Sequence, residues 1–137
     1  MQNRNNYMRR YQSNSNITHK CNYHVVFTPK YRRKVLKDGV DVRLKEIIIA
    51  ECVSLNVNLI EMEIMVDHVH LLLGCDPQFG INKVIKKIKG KSSHLLRLEF
   101  PWLKKRIPSL WTNSYFVATV GVVSLEIIKQ YILDQKK

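Results

Sequence analysis

His68-Val69-His70 lies in the run Ile64-Met65-Val66-Asp67-His68-Val69-His70-Leu71-Leu72-Leu73, whose apolar and β-branched residues suit a strand. Strand side chains alternate between faces, so the two imidazoles point the same way, side by side. Tyr131 and Gln135 stand four apart in the last helical segment and so share one helix face. Two imidazole nitrogens and an amide oxygen can hold one divalent cation. A phenol beside that cation is a candidate nucleophile. Together these are the parts needed to cut a phosphodiester bond.

The elements that must position those residues come from a chain of 137 residues, a length that suits one domain with its own core. Lys and Arg total 23 against 11 Asp and Glu, a net charge of +12, and the pI is near 9.8. That imbalance points to a polyanionic partner, nucleic acid before an anionic membrane surface. No apolar run approaches the roughly 18 residues of a spanning helix, and no secretory pattern opens the sequence. The N-terminus is rich in Arg and free of acids, as transit peptides are, but it lacks their amphipathic face. Cys21, Cys52 and Cys75 are odd in number and widely spaced in apolar surroundings. They read as free thiols in a reducing compartment, the cytoplasm. A zinc site from His68, His70 and Cys75 has no CxxC pair to support it.

Residues 1–16, with Arg4, Arg9 and Arg10, form a polar, Asn-rich stretch that reads as a flexible basic arm; residues 17–137 read as a single domain. A first strand spans Cys21 to Thr28, closed by Pro29 and followed by the basic loop Lys30-Tyr31-Arg32-Arg33-Lys34. The spacing of Leu44, Ile47, Ile48 and Cys52 predicts a helix over about 41–55, with Asp41 as its cap. Two strands, Asn58 to Met65 and His68 to Leu73, flank a tight turn at Val66-Asp67. A second helix runs from Ile81 to about Phe100, with Lys83, Lys86, Lys87, Lys89 and Lys91 on it and Gly90 weakening its middle by about 1 kcal/mol relative to Ala, enough to permit a kink or break there. Leu110 to Val120 is strand-like, interrupted near Asn113. Ser124 is placed as the cap of a final helix, with Glu126 in its first turn and Lys136 and Lys137 at its end. The order β-α-β-β-α-β plus a helix predicts an α+β, ferredoxin-like (RRM-like) antiparallel sheet with helices on one face and an added C-terminal helix.

Each motif alone has an ordinary reading. A His-x-His pair on a strand is often hydrogen-bonded and structural, although Asp67 beside it is placed to orient an imidazole. A Tyr in a helix rich in Ile and Leu is usually a core residue with its hydroxyl at the rim, and lysines along a helix are usually a solvated face. In combination they resemble the small single-tyrosine HUH transposases of the TnpA type. Tyr23-His24-Val25-Val26-Phe27-Thr28-Pro29-Lys30-Tyr31-Arg32-Arg33-Lys34-Val35-Leu36 is similar to their first strand and basic loop. Asp67-His68-Val69-His70-Leu71-Leu72 is similar to their metal strand, and Lys129-Gln130-Tyr131-Ile132 with Gln135 to their nucleophile helix. The segment from Leu110 to Gly121 resembles the stretch before that helix. Val66 stands where many relatives have Pro. The resemblance covers about residues 20–137.

By that resemblance, His68, His70 and Gln135 bind Mg²⁺ or Mn²⁺, and Tyr131 attacks a phosphodiester to give a 5′-phosphotyrosine and a free 3′-hydroxyl. A phenol is a poor nucleophile at neutral pH until its site helps it ionise. The implied substrate is single-stranded DNA with hairpin ends. The implied assembly is a homodimer with sheets joined edge to edge and active sites shared between chains: the tyrosine helix is expected to pack against the partner's histidines, so that Tyr131 acts in trans with Gln135 travelling on the same helix. Lys30, Arg32, Arg33, Lys34, Lys83, Lys86, Lys87, Lys89 and Lys91 are the candidate DNA contacts, and Tyr31, Phe79 or Trp111 the candidate stacking platforms for bases. Two alternatives remain: a domesticated relative that processes palindromes, and a non-catalytic single-stranded nucleic-acid-binding module.

Overall fold

The computed structural model describes residues 21–135, with the side chains of 122–126 excepted. The expected arm at 1–16, the side chains of Ser124 and Glu126, and Lys136 and Lys137 lie outside the described residues. Strand β1 (Cys21–Phe27) leads through the basic loop to helix α1 (Val40–Ser54), then to the hairpin β2 (Asn58–Met65) and β3 (His68–Cys75). Helix α2 (Ile81–Glu99), a short α3 (Trp102–Arg106), strand β4 (Phe116–Val120) and helix α4 (Val122–Asp134) follow. The sheet order is β2-β3-β1-β4, and each pair is antiparallel. This is the ferredoxin-like arrangement, an α+β fold.

Alternation along the strands divides the sheet into two unlike faces. Val25 and Phe27 of β1, Ile64 of β2 and Val69, Leu71 and Leu73 of β3 join Leu44, Ile48, Val84, Ile85, Ile88 and Leu96 of α1 and α2 in the main core. Residues of opposite parity, among them Leu72, face the other way and meet Ile132 of α4 in a small second cluster with Ile60. The added helix therefore covers the face that α1 and α2 leave open. His68 and His70 share the parity of Leu72, so they lie on the α4 side. Cys75 belongs to the main core. The zinc set of His68, His70 and Cys75 is thus ruled out, because an odd separation puts the thiol on the far side of the sheet. The three cysteines are free thiols, Cys52 and Cys75 buried.

Several boundaries differ from expectation. Helix α1 starts after Gly39, whose φ of +94° suits a residue without Cβ; Asp41 lies in its first turn and favours the helix dipole instead of capping. Helix α2 runs unbroken through Gly90, because Ile88 and Leu96 keep its inner face in the core while Gly90 is exposed. Helix α4 begins at Val122, so Ser124 is inside its first turn. The last strand is shorter than Leu110 to Val120. Residues 110–112 pair instead with residues 28–30, just past β1, through the Lys30 amide to the Leu110 carbonyl (2.8 Å) and the Thr112 amide to the Thr28 carbonyl (3.0 Å). The chain then leaves the sheet until Phe116. No helix among the described residues is long and apolar enough to cross a membrane.

Candidate active site

The tight Val66-Asp67 turn starts β3 so that His68 and His70 are two apart on the α4-facing side, with ring centroids 4.7 Å apart. Rings at that separation can both reach one cation through bonds of about 2.1 Å. Asp67 Oδ1 lies 2.6 Å from His68 Nδ1, which makes that nitrogen the N–H donor and fixes the ring's tautomer. Arg32, at the base of the basic loop, reaches Asp67 Oδ2 at 3.5 Å. Burial alone would raise the Asp67 carboxyl. The hydrogen bond to His68 and the electrostatic pull of the neighbouring His68 ring and Arg32 guanidinium outweigh it and hold the group below its ordinary range.

His70 is nearly buried, at 7% exposure. Burial, with the neighbouring His68 and His24 opposing a further positive charge, pushes its pKa down to about 4. It is therefore a neutral imidazole at pH 7, the form that ligates metals. Among the described residues no hydrogen bond engages the Nε2 atoms of His68 or His70. Two such nitrogens on adjacent rings of one strand face suit a divalent cation. Imidazoles are soft partners for Mg²⁺ and suit Mn²⁺ at least as well.

Helix α4 brings the phenol. Ile132, fully buried against Leu72 and Ile60, anchors the helix to the sheet. The residue before it, Tyr131, is turned to the rim, 48% exposed, with its ring 5.8 Å from that of His70 at 68°. Gln135 is one turn further, at the C-cap, its backbone N–H donating to the Tyr131 carbonyl at 3.2 Å. His68, His70 and Tyr131 are thus brought together within one chain, and Gln135 follows on the same helix.

His24, which the sequence reading did not single out as a site residue, joins this group. It lies on β1, diagonal to His70, since β1 pairs His24 with Leu72 and Val26 with His70. Its Nε2 is 3.4 Å from His70 Nδ1. Burial lowers its pKa as well.

The cationic candidates fall on different parts of the surface. Lys30, Arg32, Arg33 and Lys34 form a tight turn after Pro29 in which Tyr31 and Arg32 adopt left-handed φ values of 61° and 51°; Arg32 ties this turn to the site through Asp67. Lys83, Lys86, Lys87 and Lys91 are exposed on α2, in the layer across the sheet from the histidines. Lys89 differs: its ammonium donates to the Thr112 carbonyl at 2.6 Å and stands over the Tyr115 ring. Burial lowers its pKa. Exposed Lys104, Lys105 and Arg106 of α3 add a basic cluster that sequence reading passed over.

Of the proposed stacking platforms, Tyr31 is 68% exposed. Phe79 is half-buried with Lys83 over its ring. Trp111 is buried, set edge-on to Phe27, and its indole N–H donates to Ser92 Oγ at 3.0 Å. It is a core residue and cannot receive a base.

The site is thus a ferredoxin-like sheet with a histidine pair on one face and a tyrosine helix laid over it. Residues 17–135 match the family of IS200-like transposases. The chain belongs to that family. It is 36% identical to the ISDra2 transposase TnpA of Deinococcus radiodurans over 115 residues, 82% of either chain. It is also 36% identical to the IS200 transposase of Salmonella typhimurium over 117 residues, 84% of this chain and 76% of the relative. Among solved structures, a Deinococcus radiodurans protein described as a transposase superposes with a TM-score of 0.70 at 39% identity, covering 85% of this chain and 92% of the other. A REP-associated tyrosine transposase bound to a REP hairpin shares the fold, with a TM-score of 0.64 at 12% identity over 82% of this chain and 64% of the other. The protein is a transposase.

Proposed function

We propose that this transposase cleaves and rejoins single-stranded DNA through a covalent bond to Tyr131. The observation that carries the reading is the Tyr131 ring at 5.8 Å from His70, beside two imidazoles whose Nε2 atoms make no hydrogen bond among the described residues. His68 and His70, with the Gln135 amide oxygen, would hold one Mg²⁺ or Mn²⁺. When bound, that cation draws charge from the phosphoryl oxygens and stabilises the transition state. The Tyr131 oxygen attacks phosphorus in line with the 3′ oxygen. A tyrosyl O–P bond forms as the P–O3′ bond breaks, the phenolic proton goes to solvent, and the departing oxygen takes one up as a 3′-hydroxyl. One phosphodiester is exchanged for another, so a second 3′-hydroxyl can reverse the step without ATP.

Arg32 supports the coupling of DNA binding to chemistry, since it joins the basic turn to the Asp67–His68 pair. Lys30, Arg33 and Lys34 extend that turn. Lys83, Lys86, Lys87 and Lys91 offer a second phosphate-binding surface across the sheet, suited to a folded hairpin. The relative bound to a REP hairpin supports hairpin DNA as the substrate class. A single nucleophile holds a single cleaved end, so handling two ends calls for two chains. Strand β4 is a sheet edge with Phe116 55% exposed, which suits edge-to-edge pairing of two copies. The three free thiols support a reducing compartment, the cytoplasm, as the setting.

The test mixes the protein and Mn²⁺ or Mg²⁺ with end-labelled single-stranded DNA from the flanks of its own gene. The reading expects a protein-linked DNA band on a denaturing gel, absent with EDTA. DNA binding with no adduct under any metal would replace it with a non-catalytic binding module.

A further inference from the structure

His24 and His70 meet in a specific way. Their ring planes are 14° apart and their centroids 5.6 Å apart. That separation is the 3.4 Å nitrogen–nitrogen distance lengthened by one ring radius at each end. The rings therefore meet edge to edge, near one plane, with Nε2 of His24 and Nδ1 of His70 pointing at each other. This is the direction of an imidazole lone pair and an N–H, and it is a hydrogen bond at the long end of the range. Phe116 packs across the other side of His24, with centroids 6.0 Å apart at 74°, and limits how that ring can turn.

Two neutral imidazoles can share this bond in two ways. If His24 donates, His70 carries its own proton on Nε2 and that nitrogen cannot bind a cation. If His70 donates from Nδ1, its Nε2 keeps a lone pair. We infer that His24 accepts the Nδ1–H of His70 and is a positioning residue, which holds His70 in the tautomer that presents Nε2 to a divalent cation. Asp67 does the same for His68, whose Nδ1 it engages at 2.6 Å. Each candidate ligand then has its own orienting partner, Asp67 from the turn and His24 from the neighbouring strand. A cation on His70 Nε2 makes the Nδ1–H a stronger donor and tightens the bond to His24. The inference rests on the proposed metal-assisted reading.

Two measurements on the full chain test it. In the metal-free protein, long-range ¹H–¹⁵N correlation spectra of the imidazoles report which nitrogen of His70 is protonated. We expect Nδ1–H in the wild type and a gain of the Nε2–H form in His24→Ala. A wild-type His70 protonated on Nε2 overturns the inference, and that spectrum needs no variant to fold. Mn²⁺ titrations followed by electron paramagnetic resonance then give affinities. His24→Ala should bind about 10- to 100-fold more weakly, and His24→Gln, whose amide oxygen can accept the same proton, should recover most of the loss. A His24→Ala protein of wild-type circular dichroism and wild-type Mn²⁺ affinity also overturns it. Absence of Mn²⁺ binding in the wild type would defeat the metal-assisted reading itself, while the tautomer of His70 still decides the role of His24.

Discussion

Tyr131 stands against His70 of its own chain, ring centroids 5.8 Å apart at 68°. The candidate nucleophile and a candidate ligand thus lie ring against ring on the α4-facing side of the sheet. What holds them there is small. Ile132, with Leu72 and Ile60 beneath it, forms a cluster separate from the main core.

That thin attachment makes α4 separable from the rest of the fold. Ile132→Ala should cost about 2–5 kcal/mol at the site it leaves. Because the loss falls on a satellite cluster, it should free the helix locally rather than unfold the sheet. Hydrogen exchange should show α4 amides losing protection while those of β1 and β3 keep theirs. Adduct formation should drop with single-stranded DNA binding largely kept; global unfolding of the variant would contradict this.

Asp67 supplies a second prediction. Asp67→Ala removes the acceptor for His68 Nδ1–H and the partner of Arg32. Mn²⁺ affinity should fall about 10- to 100-fold with little change in the far-ultraviolet circular dichroism. Asp67→Asn, whose amide oxygen can still accept, should fall less. Equal affinities in all three proteins would remove Asp67 from the site.

The lysines of α2 should divide into two kinds. Lys86→Ala should lower affinity for single-stranded DNA without changing stability. Its dependence on the logarithm of salt concentration should flatten by about 0.7 for each phosphate no longer neutralised. Lys89→Ala should instead cost about 1–2 kcal/mol in urea unfolding, because the Thr112 carbonyl loses a charged donor. If the two variants behave alike in both assays, the structural role of Lys89 is wrong.

Acid should act through His70. Its pKa is about 4 in the folded chain and near 6.5 in an unfolded one. Between those values the unfolded chain binds a proton that the folded site refuses, so stability falls as pH falls. Above about 6.5 both states are neutral and His70 adds no pH dependence; below about 4 both are charged and its effect levels off. Unfolding free energy should therefore decline more steeply from pH 6.5 to 4 in the wild type than in His70→Leu, measured by urea titration. Parallel curves would contradict this.

Much of the fold was legible in local pattern. The alternation around Val25 and Phe27, the helical spacing of Leu44, Ile47 and Ile48, and the two-residue turn at Val66-Asp67 each act over a few residues, and the β-α-β-β-α-β order follows from them. The shared face of His68 and His70 follows from strand parity alone, and parity also places Cys75 on the opposite side. Register was not legible. His24 meets His70 only because β1 pairs with β3 at one particular offset, and nothing local fixes that offset. The face chosen by α4 is equally a tertiary matter, decided by Ile132 against Leu72. Trp111 and Lys89 looked available from their types, yet burial against Phe27 and the Thr112 carbonyl commits both.

Mapping the covalent bond decides whether Tyr131 is the residue that holds DNA. Protein incubated with Mn²⁺ and single-stranded flank DNA would be digested with trypsin and nuclease, and the nucleotide-bearing peptide sequenced by mass spectrometry. The chain has 6 tyrosines, so the assignment discriminates. One modified peptide is expected, carrying a 5′-phosphonucleotide on Tyr131 and lost in Tyr131→Phe. A modification on any other residue, or cleaved DNA with no protein-bound nucleotide, would contradict it.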